Sequence, residues 1–220
     1  GVTTLLVTQA TTINAGVVTT SLTQTYQGNV TLGSDVNLTG TTVSFEEDVI
    51  GAGKDLTITG NAVFGTANDD AVGGLDVLLV TGTTLINAGT VTSSGTQTYR
   101  GDVTLGADTH LTGTTVSFQE DVIGTGKDLT ITGNAVFGTA NDDAVGGLDV
   151  LSVTGTTLIN AGTVSSTGTQ TYQGDVTLGS DVNLTGSTVK FDANVIGGTH
   201  ALTVTGNAVL GNASIDQVTG

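Results

Sequence analysis

A sequence repeat with a period of 73 constrains this chain more than any other feature. Tyr26, Tyr99 and Tyr172 follow this period, and each ends a Thr-Gln-Thr-Tyr segment. Aligned without gaps, residues 1–73 and 74–146 are identical at 57 of 73 positions, and residues 147–219 form the third copy. The strand pattern runs through each junction with no shift to a linker composition. The repeats therefore predict one continuous solenoid over residues 1–220, with no independent domains.

The composition predicts an all-β fold. Thr and Val are abundant and β-branched, which suits strands, and the good helix formers are sparse. A hydrophobic fraction of 37% opposes disorder. No apolar run approaches the roughly 18 residues of a membrane span, so we expect no membrane insertion. The absence of Cys excludes disulfides, thiolate metal sites and a Cys nucleophile.

Each repeat subdivides into shorter units. In the second copy, four strand-like segments follow Gly82, Gly95, Gly113 and Gly133, with spacings of 13, 18 and 20, and then 22 to Gly155. A mean spacing of about 18 predicts a right-handed parallel β-helix with four coils per repeat and about 12 coils in all. The unequal spacings predict a loop in the acidic stretch 141–147.

Strand alternation predicts which side chains face inward. Val91, Val103, Leu105, Leu129 and Ile131 alternate with polar residues and are expected in the core. Residues of one type that recur at matching places are expected to stack as ladders from coil to coil. The aromatic ladder would comprise Tyr26, Phe45, Phe64, Tyr99, Phe118, Phe137, Tyr172 and Phe191, and an Asn ladder would comprise Asn14, Asn87 and Asn160.

Charge and site chemistry argue against catalysis. A net charge of −16 opposes binding to nucleic acid, which needs clustered Lys and Arg. Almost every polar residue recurs at 73-residue spacing, whereas a catalytic site is a singular constellation. His110 and His200 align with Asn or Lys in the other copies, which indicates surface positions. We therefore expect no enzyme activity and no catalytic residues.

Calcium is the one cofactor that the sequence leaves open. The candidate ligands are the paired acids Asp69, Asp70, Asp142 and Asp143, because Ca²⁺ binds six to eight oxygens. Neither the Gly-Gly-x-Gly-x-Asp β-roll motif nor the EF-hand pattern is present. Solvated acidic turns are the main interpretation of these residues, and no other cofactor is expected.

Two segments resemble a known class of repeat. The runs at 23–40 (TQTYQGNVTLGSDVNLTG) and 55–65 (DLTITGNAVFG) are similar to the repeats of very large bacterial β-strand-repeat surface proteins. That class resembles filamentous-haemagglutinin-type adhesins and autotransporter passengers. The resemblance covers the entire chain, and it implies a secreted right-handed β-helix that acts as a stalk, adhesin or extracellular filament. It implies no catalytic residues.

The expected function is mechanical. The sequence and the resemblance together favour a structural, non-catalytic segment of an extracellular or cell-surface fibre or adhesin stalk. Its expected partner is itself, through end-to-end or lateral fibre assembly or through continuation of the same giant chain. The alternative is a rod whose faces bind glycans on another cell. A third reading, an ice-binding solenoid, rests on local Thr-x-Thr segments such as Thr96-Gln97-Thr98.

Overall fold

The computed structural model describes residues 1–214 and 216–220, which form 27 strands in one parallel sheet and no helix. The strands are β1 (Leu5–Val7), β2 (Thr11–Ile13), β3 (Val17–Thr19), β4 (Thr23–Tyr26), β5 (Val30–Leu32), β6 (Val36–Phe45), β7 (Val49–Ile50), β8 (Leu56–Phe64), β9 (Ala71–Leu75), β10 (Leu78–Val80), β11 (Thr84–Ile86), β12 (Thr90–Ser93), β13 (Thr96–Tyr99), β14 (Val103–Leu105), β15 (Thr109–Phe118), β16 (Val122–Ile123), β17 (Leu129–Phe137), β18 (Ala144–Leu148), β19 (Leu151–Val153), β20 (Thr157–Ile159), β21 (Thr163–Ser166), β22 (Thr169–Tyr172), β23 (Val176–Leu178), β24 (Val182–Phe191), β25 (Val195–Ile196), β26 (Leu202–Leu210) and β27 (Val218–Thr219).

The strands stack into a three-sided solenoid. The first face carries β1, β4, the second halves of β6 and β8, then β11, β14, β16, β18, β21 and the first halves of β24 and β26. The second face carries β2, β5, β7, β9, β12, the first halves of β15 and β17, then β19, β22 and the second halves of β24 and β26. The third face carries β3, the first halves of β6 and β8, then β10, β13, the second halves of β15 and β17, then β20, β23, β25 and β27.

The predicted all-β parallel solenoid is confirmed, and its turns are slightly fewer and longer than expected. The chain makes about 11 turns of about 19 residues each. At about 4.8 Å between stacked strands, the rod is roughly 53 Å long. Within the part of the chain that the structure describes, no helix has the length and apolar character to cross a membrane.

A repeat covers three and two-thirds turns, and not the four coils that the glycine spacing predicted. Gln24 stacks under Val43, Val43 under Ala62, and Ala62 under Thr84. These three turns take 60 of the 73 positions in a repeat. The remaining 13 lead from Thr84 across two faces to Gln97, which is the equivalent of Gln24 in the second repeat. Successive repeats are therefore rotated by one third of a turn about the axis.

The core runs along the axis inside the three faces. Val91, Val103, Leu105, Leu129 and Ile131 are all fully buried, as the alternation predicted. The buried cluster extends without interruption from Ile13 to Val195. Each turn packs its apolar residues against the turns before and after it, so stability depends on stacking.

The corners between faces are of two kinds. Some are loops, and one of the longest spans Thr139–Asp143, within the extended turn that leads from Val122 to its stacked partner Val145. The predicted acidic loop is therefore present, although its second half belongs to β18. Other corners are bends within one long strand, such as β17 at Gly133. Gly133 has a φ of 123°, and a Cβ there would overlap the carbonyl oxygen of Gly113, so only glycine fits.

Candidate functional site: buried ladders and corner caps

The aromatic residues form three short stacks inside the rod. In the first repeat, the ring centroids of Tyr26 and Phe45 are 5.3 Å apart and those of Phe45 and Phe64 are 6.0 Å apart. The equivalent stacks are Tyr99, Phe118 and Phe137 in the second repeat, and Tyr172 and Phe191 in the third. Each stacked pair contributes about 0.5–1.5 kcal/mol beyond burial.

The three stacks lie on three different faces and do not join into one ladder. Ile86 follows Phe64 in its column, and Leu105 follows Ile86. Tyr99 lies on the third face, above Val80. The one-third rotation per repeat is the reason, because it moves each equivalent aromatic stack to the next face.

A buried glutamine accompanies each tyrosine, and the sequence interpretation overlooked it. Gln97 is fully buried, and its Nε2 donates to the carbonyl oxygens of Val91, at 2.9 Å, and Thr112, at 2.8 Å. Its Oε1 accepts the hydroxyl proton of Tyr99 at 2.9 Å. Gln24 with Tyr26 and Gln170 with Tyr172 repeat the arrangement.

Each Gln–Tyr pair closes the corner between two faces. The carbonyl oxygens of Val91 and Thr112 belong to successive turns of the second face, at the point where the chain leaves that face. Buried carbonyl groups without a donor are costly, so one amide satisfies two of them. Strand alternation could have revealed the pair, because residues two apart in Thr-Gln-Thr-Tyr share the inward face.

Burial changes the acidity of the tyrosines. Desolvation raises the pKa of Tyr26 from its ordinary 10.0 to about 12. The fully buried Tyr99 and Tyr172 have their pKa raised further by the same cause. The phenolic groups therefore keep the proton that they donate to glutamine.

The predicted Asn ladder does not form. Asn14, Asn87 and Asn160 follow strands of the second, first and third faces respectively, so they do not stack on one another. Instead, Nδ2 of Asn87 donates to the carbonyl oxygen of Gly65 at 3.0 Å, and Nδ2 of Asn160 donates to that of Gly138 at 2.9 Å. Each of these two asparagines joins its own turn to the turn before it.

Several aspartates at corners cap the backbone of the following turn. Oδ1 of Asp108 accepts the N–H of Asp128 at 3.1 Å, and Oδ1 of Asp128 accepts the N–H of Val150 at 3.1 Å. The same role falls to Asp35, Asp48, Asp55, Asp121, Asp175 and Asp181. A charge-assisted hydrogen bond supplies the N–H group with an acceptor where no strand carbonyl is available. Many of the aspartates that give the chain its net charge of −16 therefore have a structural role.

The calcium candidates divide into buried and exposed acids. Asp70 and Asp143 are buried, and Oδ2 of Asp143 accepts the N–H groups of Thr139 and Ala140 at 2.7 and 2.9 Å. Oδ2 of Asp70 makes the equivalent bonds to Thr66 and Ala67. Asp69 and Asp142 are exposed. Among residues 1–214 and 216–220, no group of three or more His, Asp or Glu side chains is placed to hold a metal ion.

The histidines lie at the surface and apart from each other. Nε2 of His110 is 2.8 Å from Oγ1 of Thr132 on the second face. Nδ1 of His200 is 3.7 Å from Oδ1 of Asp181 at the corner before β26. Neither histidine has a serine, cysteine or second histidine within a described hydrogen bond, so the pattern of a nucleophile with its base is not assembled around them.

The grooves described on the surface are open to solvent. One groove on the first face is lined by the apolar residues Val63, Leu85 and Ile123 and by the polar residues Thr83 and Asp102, among others. All eight aromatic side chains are buried, so none of them lines a groove. This geometry supports stacking and hydrogen bonding along the axis.

Comparison with protein-family models, with curated proteins and with solved structures gives no match for this chain.

Proposed function

We propose that this chain is a structural, non-catalytic segment of an extracellular β-helical fibre or adhesin stalk. The observation that carries the proposal is the use of the polar side chains. The buried glutamines and the corner aspartates are bonded to the backbone of neighbouring turns, and the core continues from turn to turn. Such a rod spans a fixed distance. The hydrogen bonds between the backbones of its stacked turns oppose its unfolding.

Repeat number tests the mechanical part of the proposal. Each added 73-residue repeat contributes three and two-thirds turns, so the rod is expected to lengthen by about 18 Å per repeat with no new binding activity. Electron microscopy of chains with three, six and nine repeats measures this increment. Beads separated by flexible links would contradict a continuous rod.

Labelling of intact cells tests the location. Antibodies raised against the 220-residue rod are expected to bind the surface of the cells that make it, and added protease is expected to remove the signal. An antigen that becomes accessible only after the cells are broken would contradict the extracellular role.

The alternative readings receive less support from the geometry. Glycan-binding faces commonly stack sugar rings on exposed aromatic side chains, and here all eight aromatics are buried. Binding of the isolated rod to a glycan array would favour the adhesive reading.

An ice-binding face needs a regular Thr array. The outward column on the first face passes instead through Leu6, Thr25, Ser44, Val63 and Leu85, so it is not such an array.

A further inference from the structure

One corner of the rod departs from the repeat in a way that changes its charge. Residues 100–102 are Arg-Gly-Asp, whereas the equivalent residues are Gln-Gly-Asn at 27–29 and Gln-Gly-Asp at 173–175. Arg100 is the only arginine of the chain. A polar residue that recurs in every copy has a structural explanation, so a charge that appears in one copy alone is a candidate for a separate role.

The corner presents both charged side chains to solvent. It connects β13 on the third face to β14 on the first face. Arg100 and Asp102 are exposed and lie on either side of Gly101, between the buried Tyr99 and Val103. A guanidinium and a carboxylate therefore reach into solvent from one bend of the chain.

The preceding turn holds the backbone of this corner in place. The N–H group of Arg100 donates to the carbonyl oxygen of Val80 at 3.0 Å, and the carbonyl oxygen of Asp102 accepts the N–H group of Thr84 at 2.8 Å. Gly101 packs so closely against the preceding corner that a Cβ would lie 2.7 Å from a carbonyl carbon there, so this position requires glycine. A partner would meet a tripeptide whose backbone is already ordered, which lowers the entropic cost of binding.

The charges of this corner are not used within the part of the chain that the structure describes. There, Arg100 forms no ion pair and Asp102 accepts no side-chain hydrogen bond. By contrast, Oδ1 of the equivalent Asp175 accepts the backbone N–H of Asn194 at 3.0 Å and its Nδ2 at 2.9 Å. In the second copy, Asp121 stands in place of Asn194, and a carboxylate has no proton to donate. The carboxylate of Asp102 is therefore available to a partner.

The acids around the corner determine the charge that a partner must bring. Asp102 and Asp121 directly precede the stacked residues Val103 and Val122, so their corners are consecutive along the axis. Glu120 is exposed beside Asp121. Three acids and one guanidinium give these two corners a net charge of about −2 at neutral pH. Carboxylate oxygens are ligands of divalent cations, and a guanidinium pairs best with a carboxylate.

We propose that this corner is a recognition site for a metal-dependent cell-adhesion receptor. The receptor places a bound divalent cation on the carboxylate of Asp102 and an acidic pocket around the guanidinium of Arg100. Receptors of this kind recognise the tripeptide Arg-Gly-Asp in extracellular proteins through the same two charges. The inference goes beyond the proposed structural function and depends on its extracellular location.

The surface next to the tripeptide offers a further contact to such a receptor. Asp102 lines the groove on the first face together with Leu85 and Ile123. Ile123 is 43% exposed, so an apolar group of the receptor can cover it. Apolar contacts beside a charged pair exclude water from it and strengthen the electrostatic attraction.

Binding of the 220-residue chain to a receptor ectodomain tests the proposal. The probe is the ectodomain of an animal integrin that binds Arg-Gly-Asp peptides, and surface plasmon resonance measures its affinity with Mn²⁺ and with a chelator. The unaltered chain should bind in Mn²⁺ and release on chelation. A soluble Arg-Gly-Asp peptide should displace it, and an Arg-Gly-Glu peptide should not. Arg100→Gln and Asp102→Asn should each weaken binding at least about thirtyfold.

These two substitutions are also safe for the fold. Together they give the corner the sequence of residues 27–29, which the first repeat already accommodates, so the melting temperature should stay nearly unchanged. The matched control is Lys54→Gln, which removes a positive charge from another corner. It should bind like the unaltered chain, because the site depends on the tripeptide and not on the overall charge.

A second copy of the tripeptide tests the role of the unbonded carboxylate. In an Arg100→Gln chain, Gln173→Arg places Arg-Gly-Asp at residues 173–175, where Asn194 holds the carboxylate of Asp175. This chain should regain little binding. Adding Asn194→Asp removes the side-chain donor and should restore binding. Full recovery with Gln173→Arg alone would contradict the role given to the unbonded carboxylate.

Two results would overturn the proposal. One is an unaltered chain that does not bind the integrin in Mn²⁺, and the other is binding that both Arg100→Gln and Asp102→Asn retain. Either result leaves the proposed function to its own tests, because the rod length per repeat and the surface labelling of cells do not depend on this corner.

Discussion

At the scale of single residues, this chain places its chemically specific side chains at the corners. The strands need only an alternation of inward apolar and outward polar side chains, and many outward positions vary between repeats. The corners need donors and acceptors, because backbone groups there have no strand partner. Gln97 and Asp128 meet that need from inside and outside the rod respectively.

Replacing the buried glutamine should be costly. Gln97→Leu leaves the carbonyl oxygens of Val91 and Thr112 without a donor and the Tyr99 hydroxyl without an acceptor. The free energy of unfolding should fall by about 1–3 kcal/mol. Urea denaturation measures the change. The control is Gln27→Leu, at an exposed position next to Tyr26, which should stay within about 0.5 kcal/mol of the unaltered chain. Equal stability of the two variants would contradict a structural role for the buried amide.

The buried tyrosines should make the rod sensitive to alkali. Burial raises the pKa of Tyr26 from 10.0 to about 12 and raises that of Tyr99 as well, so above pH 10 the unfolded chain releases phenolic protons that the folded chain keeps. The stabilising contribution is therefore complete below pH 10 and is lost as the pH rises above it.

Tyr99→Phe isolates this effect. The variant removes one titrating group, so the slope of unfolding free energy against pH above pH 10 should become less steep by up to about 1.4 kcal/mol per pH unit. Urea denaturation across this pH range, with tyrosinate absorbance as a second probe, measures it. Ionisation of Tyr99 near pH 10 in the folded rod would contradict its burial.

At the scale of elements, the chain passes from one face to the next either through a loop or through a bend within a long strand. Both kinds of corner contain glycine, so the sequence could predict the inward residues but not the number of turns. Alternation correctly placed Val103 and Leu129 in the core, because a period of two is independent of where the corners lie. The glycine spacing predicted four coils per repeat, whereas the repeat makes three and two-thirds turns. Gly133 bends a continuous strand around a corner, whereas Gly82 and Gly95 lie only two-thirds of a turn apart. A glycine marks a corner in both cases and does not identify which face comes next.

The acidic loop should depend on its buried carboxylate and not on calcium. Asp143→Ala leaves the N–H groups of Thr139 and Ala140 without their acceptor, so the unfolding free energy should fall by about 1.5–3 kcal/mol. Thermal and urea denaturation, each with added Ca²⁺ and with a chelator, measure the effect. The neighbouring Asp142→Ala is the matched control, because Asp142 is exposed, and it should change little. A rise in the melting temperature with Ca²⁺ that both substitutions remove would instead establish a calcium site.

At the scale of the whole molecule, the one-third rotation distributes each feature of the repeat over all three faces. Ile50, Ile123 and Ile196 occupy equivalent positions, and they lie on the second, first and third faces, each more than 40% exposed. The aromatic stacks follow the same rotation. A given feature of the repeat therefore returns to the same face only after three repeats.

Introduced cysteine pairs can test this rotation directly, because the chain has no native Cys. Leu85 stacks against Thr104 on the first face, and Thr98 lies on the third face, stacked against Leu79. Stacked strands are about 4.8 Å apart, which lies within the Cα separation that a disulfide tolerates.

Leu85→Cys with Thr104→Cys should therefore form an intramolecular disulfide on mild oxidation, and so should Leu79→Cys with Thr98→Cys. The decisive control is Leu85→Cys with Thr98→Cys. A repeat of four coils would stack Leu85 and Thr98, since they hold matching places in the segments after Gly82 and Gly95. A repeat of three and two-thirds turns puts them on different faces, so both thiols should stay free. Thiol counting and mass spectrometry after oxidation distinguish the outcomes. A disulfide between positions 85 and 98, with none between 85 and 104, would restore the four-coil repeat.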